Sequence, residues 1–430
     1  MNLPIRSMAL PLTRRQFLAG SGGVFAFRNE TLDRLARLPF SSADPDSEGF
    51  WKALRREFDI DRSLTIFNHA GLSPSPRAVN DAIASQTKRA NTDPSYIIWR
   101  KQDAELDPIR RQLADLIGCE TEELALTMNS TYGLQTGVLG IPMAAGDEIL
   151  ATTHEYSRTH TAIQQRERRE GIVSVIVPLK TPPEPAHKVA DQILEKVTSK
   201  TRLVVLSQMT FLIGGLMPIK EVASTLAQKG IPLLVDGAHG VGLLPDKFSE
   251  LGAPMYTACL HKWLMGPIGT GVFIVRRPWI RKVWPLHPAD SNLDGSIKRF
   301  EQVGTRSAAP FLAIQEALDF HNMLGRERKA ARLESLRNRL AQRVLNAPGV
   351  THYGSLDPSL CRVILTVGFE KAEATDLASW LLIKHRIHVT TVLRAGINAI
   401  RISPNVFTTH EEVDRLGAAL DQVAREGMKG

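Results

Sequence analysis

The stretch Ile231–Val275 reads IPLLVDGAHGVGLLPDKFSELGAPMYTACLHKWLMGPIGTGVFIV, and the architecture follows from it. It opens on an apolar run, Ile231–Val235, that reads as a buried strand, with Asp236 where the strand ends. A second apolar stretch leads into His261 and Lys262. Gly266, Pro267, Gly269 and Gly271 follow, and Gly271–Val275 reads as another strand. Open α/β sheets gather their sites outside the carboxyl ends of strands. Asp236 and Lys262 are therefore placed to converge on one crevice, with a glycine-rich turn beside them.

An acid and a lysine in one partly desolvated crevice suit a particular chemistry. A desolvated lysine gives up its proton readily and can form a Schiff base. Pyridoxal phosphate (PLP) needs such a lysine, and a carboxylate that keeps its ring nitrogen protonated so that the ring draws electrons from the substrate's alpha carbon. The competing account is an ordinary salt bridge at a sheet edge with glycines marking turns, and spacing alone favours it.

The wording of the stretch adds what spacing lacks. VDGAHGVG followed by LHKWLMGPIGTGVFIVRR resembles the class V aminotransferase family of PLP enzymes, with isopenicillin N epimerase-like members nearest from FEQVGTRSAAP and IRISPNVFTTHEEVDRL. The resemblance runs from about Phe67 to about Leu416. It implies a fold type I PLP-dependent transferase: an α/β chain with a large domain built on a mostly parallel central sheet and a smaller C-terminal α/β domain. By the same resemblance Lys262 carries the cofactor as an internal aldimine and Asp236 faces the pyridine nitrogen. His239 lies near the ring hydroxyl, and His261 stands on the phosphate side.

Working outward, Leu124–Thr127 reads as a strand, Met128–Thr131 as the turn after it and Tyr132–Leu139 as a helix. A Ser/Thr turn at a helix N-terminus is either a phosphate cup or a plain cap. The family has its phosphate loop at this point, which assigns Ser130 and Thr131 to the cofactor. The strand Asp147–Thr153 ends at His154, whose flat imidazole is the candidate for stacking on the PLP ring, with Tyr156 as the fallback. A zinc site at His154 and His160 fits no common ligand spacing. Arg401 matches the family's substrate-carboxylate arginine, since a guanidinium fork pairs with a carboxylate through two parallel hydrogen bonds; the alternative is a strand-end arginine paired with a helix acid. Asn68, after the strand Thr65–Phe67, is a substrate-binding candidate, while His69 is expected to serve the turn. Thr305, in the Gly304–Thr305 turn, is implied to reach the phosphate of a neighbouring subunit's PLP, which makes a homodimer the expected assembly.

Three departures from the family pattern stand out. Gln208 replaces a frequent histidine, Phe211 a frequent asparagine, and Cys259 a phosphate-side serine. A thiol is the poorer donor.

The 430 residues are 43% hydrophobic and 23% charged, as in an ordinary large globular enzyme. The net charge of +8 is scattered among acids, so no nucleic-acid partner is implied, and Arg166–Arg169 reads as a solvated helix face. No apolar run approaches a membrane span. The three cysteines form no CxxC pair, and none lies in the short stretch before Arg401 where desulfurase relatives hold their thiolate, so a cysteine desulfurase is not expected. Thr13-Arg14-Arg15-Gln16-Phe17-Leu18 resembles a twin-arginine signal, which implies the twin-arginine export machinery as a partner and a periplasmic or secreted location, with the cytoplasm as the alternative.

The expected organisation is a signal and flexible segment over 1–40, an N-terminal arm over 41–75, a large PLP-binding domain over 76–290 and a small domain over 291–430. Phe50–Phe58 and Glu105–Ile117 read as helices and Asp93–Arg100 as a loop. Ala308 to about Leu345 reads as one long helix broken at Gly325. The expected function is a PLP enzyme that takes an amino acid through an external aldimine and removes its alpha proton, as an epimerase or aminotransferase. A lyase or a non-catalytic PLP-binding protein is the alternative. A nucleotide-dependent dehydrogenase is excluded because no G-x-G-x-x-G follows the first strand.

Overall fold

A computed structural model describes Arg37 and residues 44–428. The twin-arginine stretch lies outside the described residues. Thirteen strands are described: β1 (Thr65–Ile66), β2 (Leu124–Thr127), β3 (Glu148–Thr152), β4 (Val173–Val177), β5 (Thr201–Ser207), β6 (Leu233–Asp236), β7 (Met255–Cys259), β8 (Gly271–Val275), β9 (Val350–His352), β10 (Leu365–Phe369), β11 (Ile387–His388), β12 (Thr390–Arg394) and β13 (Ile397–Ile402).

Seven of them form one sheet in the order β2-β8-β7-β6-β5-β3-β4. Neighbours from β7 to β4 run parallel, and only β8 runs against both of its neighbours. A parallel sheet covered on both faces needs strands that are apolar throughout, and β2, β6, β7 and β8 are buried along their whole length. Alternation then divides each strand between two cores. Leu233 and Val235 pack into one cluster, and Leu234 packs into the other. The apolar stretch before His261 is β7, slotted between β6 and β8.

The helix Ser130–Gly140 begins two residues earlier than the sequence pattern indicates. Asn129 caps it by accepting the Tyr132 N–H at 2.9 Å, so Ser130 and Thr131 are its first turn rather than a preceding loop. Its glycines let it lie close on the sheet: a Cβ at Gly133 would sit 2.2 Å from Thr257 Oγ1, and one at Gly137 would sit 2.6 Å from a Leu234 methyl.

Three other expectations are corrected. Asp93–Arg100 is not a loop but a short helix, Pro94–Tyr96, running into a π-helix, Ile97–Gln102; Asp93 caps it and Pro94 starts it. Arg166 is not on a solvated face. Its guanidinium is buried and donates to the Val138 and Ile141 carbonyls at the end of the glycine-faced helix, both at 2.8 Å. The long helical run breaks at Gly325 as read, but also at Ala313, giving Ala309–Leu312, Ile314–Leu324 and Arg326–Val344.

β12, β13, β10 and β9 form a second, antiparallel sheet. The helices Arg326–Val344, Ala374–His385 and His410–Glu426 supply apolar residues to the core it shares. The last starts with a capping box between Thr409 and Glu412. β1 and β11 form a separate two-stranded parallel sheet, and Asn68 bridges to Ser403 just after β13. Residues Ile297, Phe300, Phe311 and Leu318 pack with the large sheet's cores.

Because the Ser130 end of the glycine-faced helix sits where Gly133 lets it, Gly133→Ala should push it off β7. Overpacking of this kind costs about 1–3 kcal/mol. Urea unfolding followed by circular dichroism should show that loss, with weaker cofactor binding alongside; an unchanged midpoint would show that the contact yields freely.

Candidate active site

β3, β5 and β6 are adjacent and parallel, so their carboxyl ends deliver His154, Ser207 and Asp236 to one edge. Asp236 ends β6, is 5% exposed and accepts the Ala238 N–H at 2.9 Å. Burial pushes its carboxyl above the ordinary range, and Lys262 draws it part of the way back. Lys262 follows β7 at the start of the glycine-rich turn. Burial lowers its ammonium below the usual value, with Cys259 and Asp236 opposing the shift.

His239 links the two segments. Its Nε2 lies 3.2 Å from Lys262 Nζ, and its Nδ1 accepts the Trp263 indole N–H at 3.2 Å. Burial holds this imidazole well below its ordinary pKa, so it is neutral. An Nδ1 that accepts leaves the proton on Nε2, and Nε2 then donates to the lysine. The lysine must offer a lone pair, which only the neutral amine has. Geometry and desolvation therefore both favour the neutral amine at Lys262. Trp263 is a residue that sequence reasoning did not assign, although it stands beside the lysine.

The remaining candidates sit around this centre. Ser130 donates its backbone N–H to Cys259 Sγ at 3.4 Å, and its hydroxyl is 3.1 Å from the same sulfur. The Ser/Thr helix start and the unusual thiol thus share one place. His261 places Nδ1 3.1 Å from the Thr270 carbonyl and is held down to about 4 chiefly by burial. Its own carbonyl accepts the Ser73 N–H at 3.0 Å. His154 is 2% exposed, is held down to about 4 by burial, and has a buried Nε2 with no partner. Tyr156 is on the rim, edge-on to Phe211.

Arg401, on β13, donates to the Phe211 carbonyl at 2.8 Å and to Asn68 Oδ1 at 2.9 Å. Burial lowers it to about 10, so it stays charged at neutral pH. Asn68 therefore orients the arginine. His69 is buried edge-on against Phe407, 5.2 Å away, and burial lowers it to about 3. Thr305 is exposed, in a turn where Gly304 has φ +76°.

Two further groups were missed. Glu155 is fully buried and accepts from Thr152 Oγ1 at 2.8 Å, Ser207 N at 2.7 Å and Ser207 Oγ at 2.5 Å, clamping the ends of β3 and β5. Burial outweighs these donors and pushes it up to about 7. Tyr256 donates its hydroxyl to Gln208 Oε1 at 3.1 Å, so Gln208 is engaged beneath the Asp236 turn. Neither residue belongs to a recognisable local motif; each acquires its role from strands distant in sequence.

The model of the family described as aminotransferase class-V matches residues 65–416. Isopenicillin N epimerase from Streptomyces clavuligerus is 26% identical over 393 residues, covering 87% of this chain and 99% of that protein. A protein named probable cysteine desulfurase from Xylella fastidiosa (strain 9a5c) is 25% identical over 418 residues, covering 90% and 98%. Among solved structures, a cysteine desulfurase from Escherichia coli superposes with a TM-score of 0.75 at 20% identity, over 87% of this chain and 98% of that one. A lysine-to-alanine variant of C-DES, with glycine covalently linked to its PLP cofactor, gives 0.75 at 23% identity, over 85% and 98%. The fold is that of the fold type I PLP-dependent enzymes. With the matched region spanning both sheets and the lysine turn between them, the chain belongs to the class V aminotransferase family of PLP-dependent enzymes.

Proposed function

We propose that this enzyme removes the alpha proton of an amino acid, with epimerisation or transamination as the outcome. The observation that carries the reading is the buried convergence of Asp236, His239 and a neutral Lys262 at one sheet edge. The residues fit PLP. A desolvated amine stands ready for covalent attachment, and a carboxyl with no side-chain hydrogen-bond partner among the described residues is available for a ring nitrogen. His154 has an orphaned buried nitrogen, and Ser130 and Thr131 open a helix for an anion. When bound, PLP supplies an electron sink for the carbanion.

In this reading Lys262 holds the cofactor and, once released, moves the proton at the alpha carbon. Asp236 would keep the ring nitrogen protonated, and His154 would offer a face for the ring. His239 and His261 stand on the hydroxyl and phosphate sides. Arg401, held by Asn68 and the Phe211 carbonyl, binds the substrate carboxylate bidentately. The Streptomyces relative's name supports epimerisation.

The desulfurase names carry less weight for this chain. Cys119 and Cys361 are pushed up to about 12 and about 11 by burial, so neither is a thiolate at neutral pH. Between β12 and β13 there are only Ala395 and Gly396, which leaves no loop for a mobile nucleophile.

Borohydride treatment of the holoenzyme followed by peptide mapping should place the reduced cofactor on Lys262; an adduct on another lysine would refute the assignment. Asp236→Asn should retain the cofactor and lose most turnover, because an amide cannot keep the ring nitrogen protonated. Turnover is read with an amino-acid panel in deuterated water. Inverted, deuterated product means epimerisation, keto acid means transamination, and a released side-chain group would replace this reading with elimination.

The proposal extends to assembly and location. Leu72, Met128 and Ile268 are exposed apolar side chains on segments that adjoin the Lys262 turn, and Thr305 is exposed as well. A second copy would cover them and receive Thr305 at its phosphate side, as the family resemblance implies. Sedimentation should give a dimer, and an active monomer would sink the idea. The Arg14-Arg15 motif supports export by the twin-arginine machinery to the periplasm or beyond. A reporter carrying residues 1–40 should leave the cytoplasm, and should be retained when both arginines become lysine; retention of the unmutated fusion would count against export.

A further inference from the structure

Beside the arginine assigned to the alpha-carboxylate stands a second one. In the β12–β13 ladder, Thr390 pairs with Arg401 and Arg394 pairs with Ile397. Residues opposite one another share a face, and so do residues four apart on one strand. Arg394 and Arg401 therefore project from the same face of the small sheet. The other residues of that face, Val392, Ile397 and Ala399, pack with Leu212 and Ile213 next to Phe211. This is the face turned toward the site.

Both guanidinium groups reach the same ring. The Arg394 carbon lies 5.6 Å from the Phe211 ring centroid and the Arg401 carbon 5.9 Å from it. Arg394 also approaches the Thr153 carbonyl at 3.4 Å, immediately before His154. Its charge is felt by His154 and His160. No carboxylate among the described residues forms an ion pair with it: Glu155, the acid that acts on it, is bonded to Thr152 and Ser207. The hairpin that carries it is stiff. Ala395 and Gly396 have φ of +54° and +75°, the left-handed pair of a two-residue turn, so Arg394 keeps a fixed relation to Arg401.

A half-buried guanidinium with unused donors, rigidly mounted at the rim of an amino-acid site, is equipped to bind an anion. We propose that Arg394 forms a distal subsite and that the substrate is an amino acid bearing a second anionic group in its side chain. One carboxylate is held at Arg401 and the other at Arg394, across the Phe211 ring. Tyr156, edge-on to that ring at 5.7 Å, closes the apolar wall between them. The inference rests on the proposed binding of an amino acid at Arg401 and specifies its side chain.

The test titrates the holoenzyme with aspartate, asparagine, glutamate and glutamine and follows the cofactor's absorbance. A charge-assisted pair lost on going from acid to isosteric amide should make at least one acid bind about tenfold or more tightly than its amide. In Arg394→Gln the ratio should fall to about one, and in Arg394→Lys part of it should return. Equal affinities in the natural protein, or a preference that survives Arg394→Gln, would overturn the subsite while leaving the amino-acid reading of Arg401 in place. No spectral response to any of the four would overturn that reading and the subsite with it.

Discussion

The site depends on keeping one lysine amine dry beside one carboxyl group. An unpaired charge in a protein interior costs several kcal/mol (roughly 3–5 when one partner of a buried pair is removed), so burial decides the protonation of whatever stands there. Asp236 is buried and Lys262 half-buried, and burial shifts each toward its neutral form. The Trp263 indole adds a directional constraint. By occupying His239 Nδ1 it leaves only Nε2 to face the lysine. Desolvation and the His239 tautomer thus both favour the neutral amine.

Such a centre needs rigid walls, and the large sheet supplies them. Glu155 joins the ends of β3 and β5, and Tyr256 reaches Gln208 beneath the Asp236 turn. The glycine-faced helix is pressed onto β6 and β7 so closely that no side chain fits at Gly133. On its far end Arg166 satisfies two carbonyls that would otherwise be buried without donors. Each of these contacts is a few kcal/mol at most, but together they leave the strand ends little freedom to move relative to one another.

The small sheet contributes a different part of the candidate site. Its face carries Arg401, which Asn68 of the N-terminal segment fastens by a hydrogen bond, and that segment is itself anchored where β1 pairs with β11. Relatives that differ in named activity match this chain over 87% and 90% of its length.

The parallel fold, the lysine turn and the strand-end acid were legible in the chain because each is local. Apolar runs of strand length, a glycine-rich turn and a Ser/Thr helix start are written in consecutive residues, and family wording gave them chemistry. Arg166 was misread for the opposite reason: a run of charges carries no sign that two distant carbonyls will need a donor. The Asp93–Arg100 segment was misread although Asp93-Pro94 is a helix-start signal, because its irregular helix is completed only by its continuation into the next one. By itself, then, the sequence determined the fold class and which residue types stand at each strand end, since these depend on short-range pattern. The tertiary structure alone decided the tautomer of His239, the desolvation of Lys262, the burial of Glu155 and the common face of Arg394 and Arg401. Those properties arise from desolvation and register between segments far apart in the chain, and no local pattern encodes either.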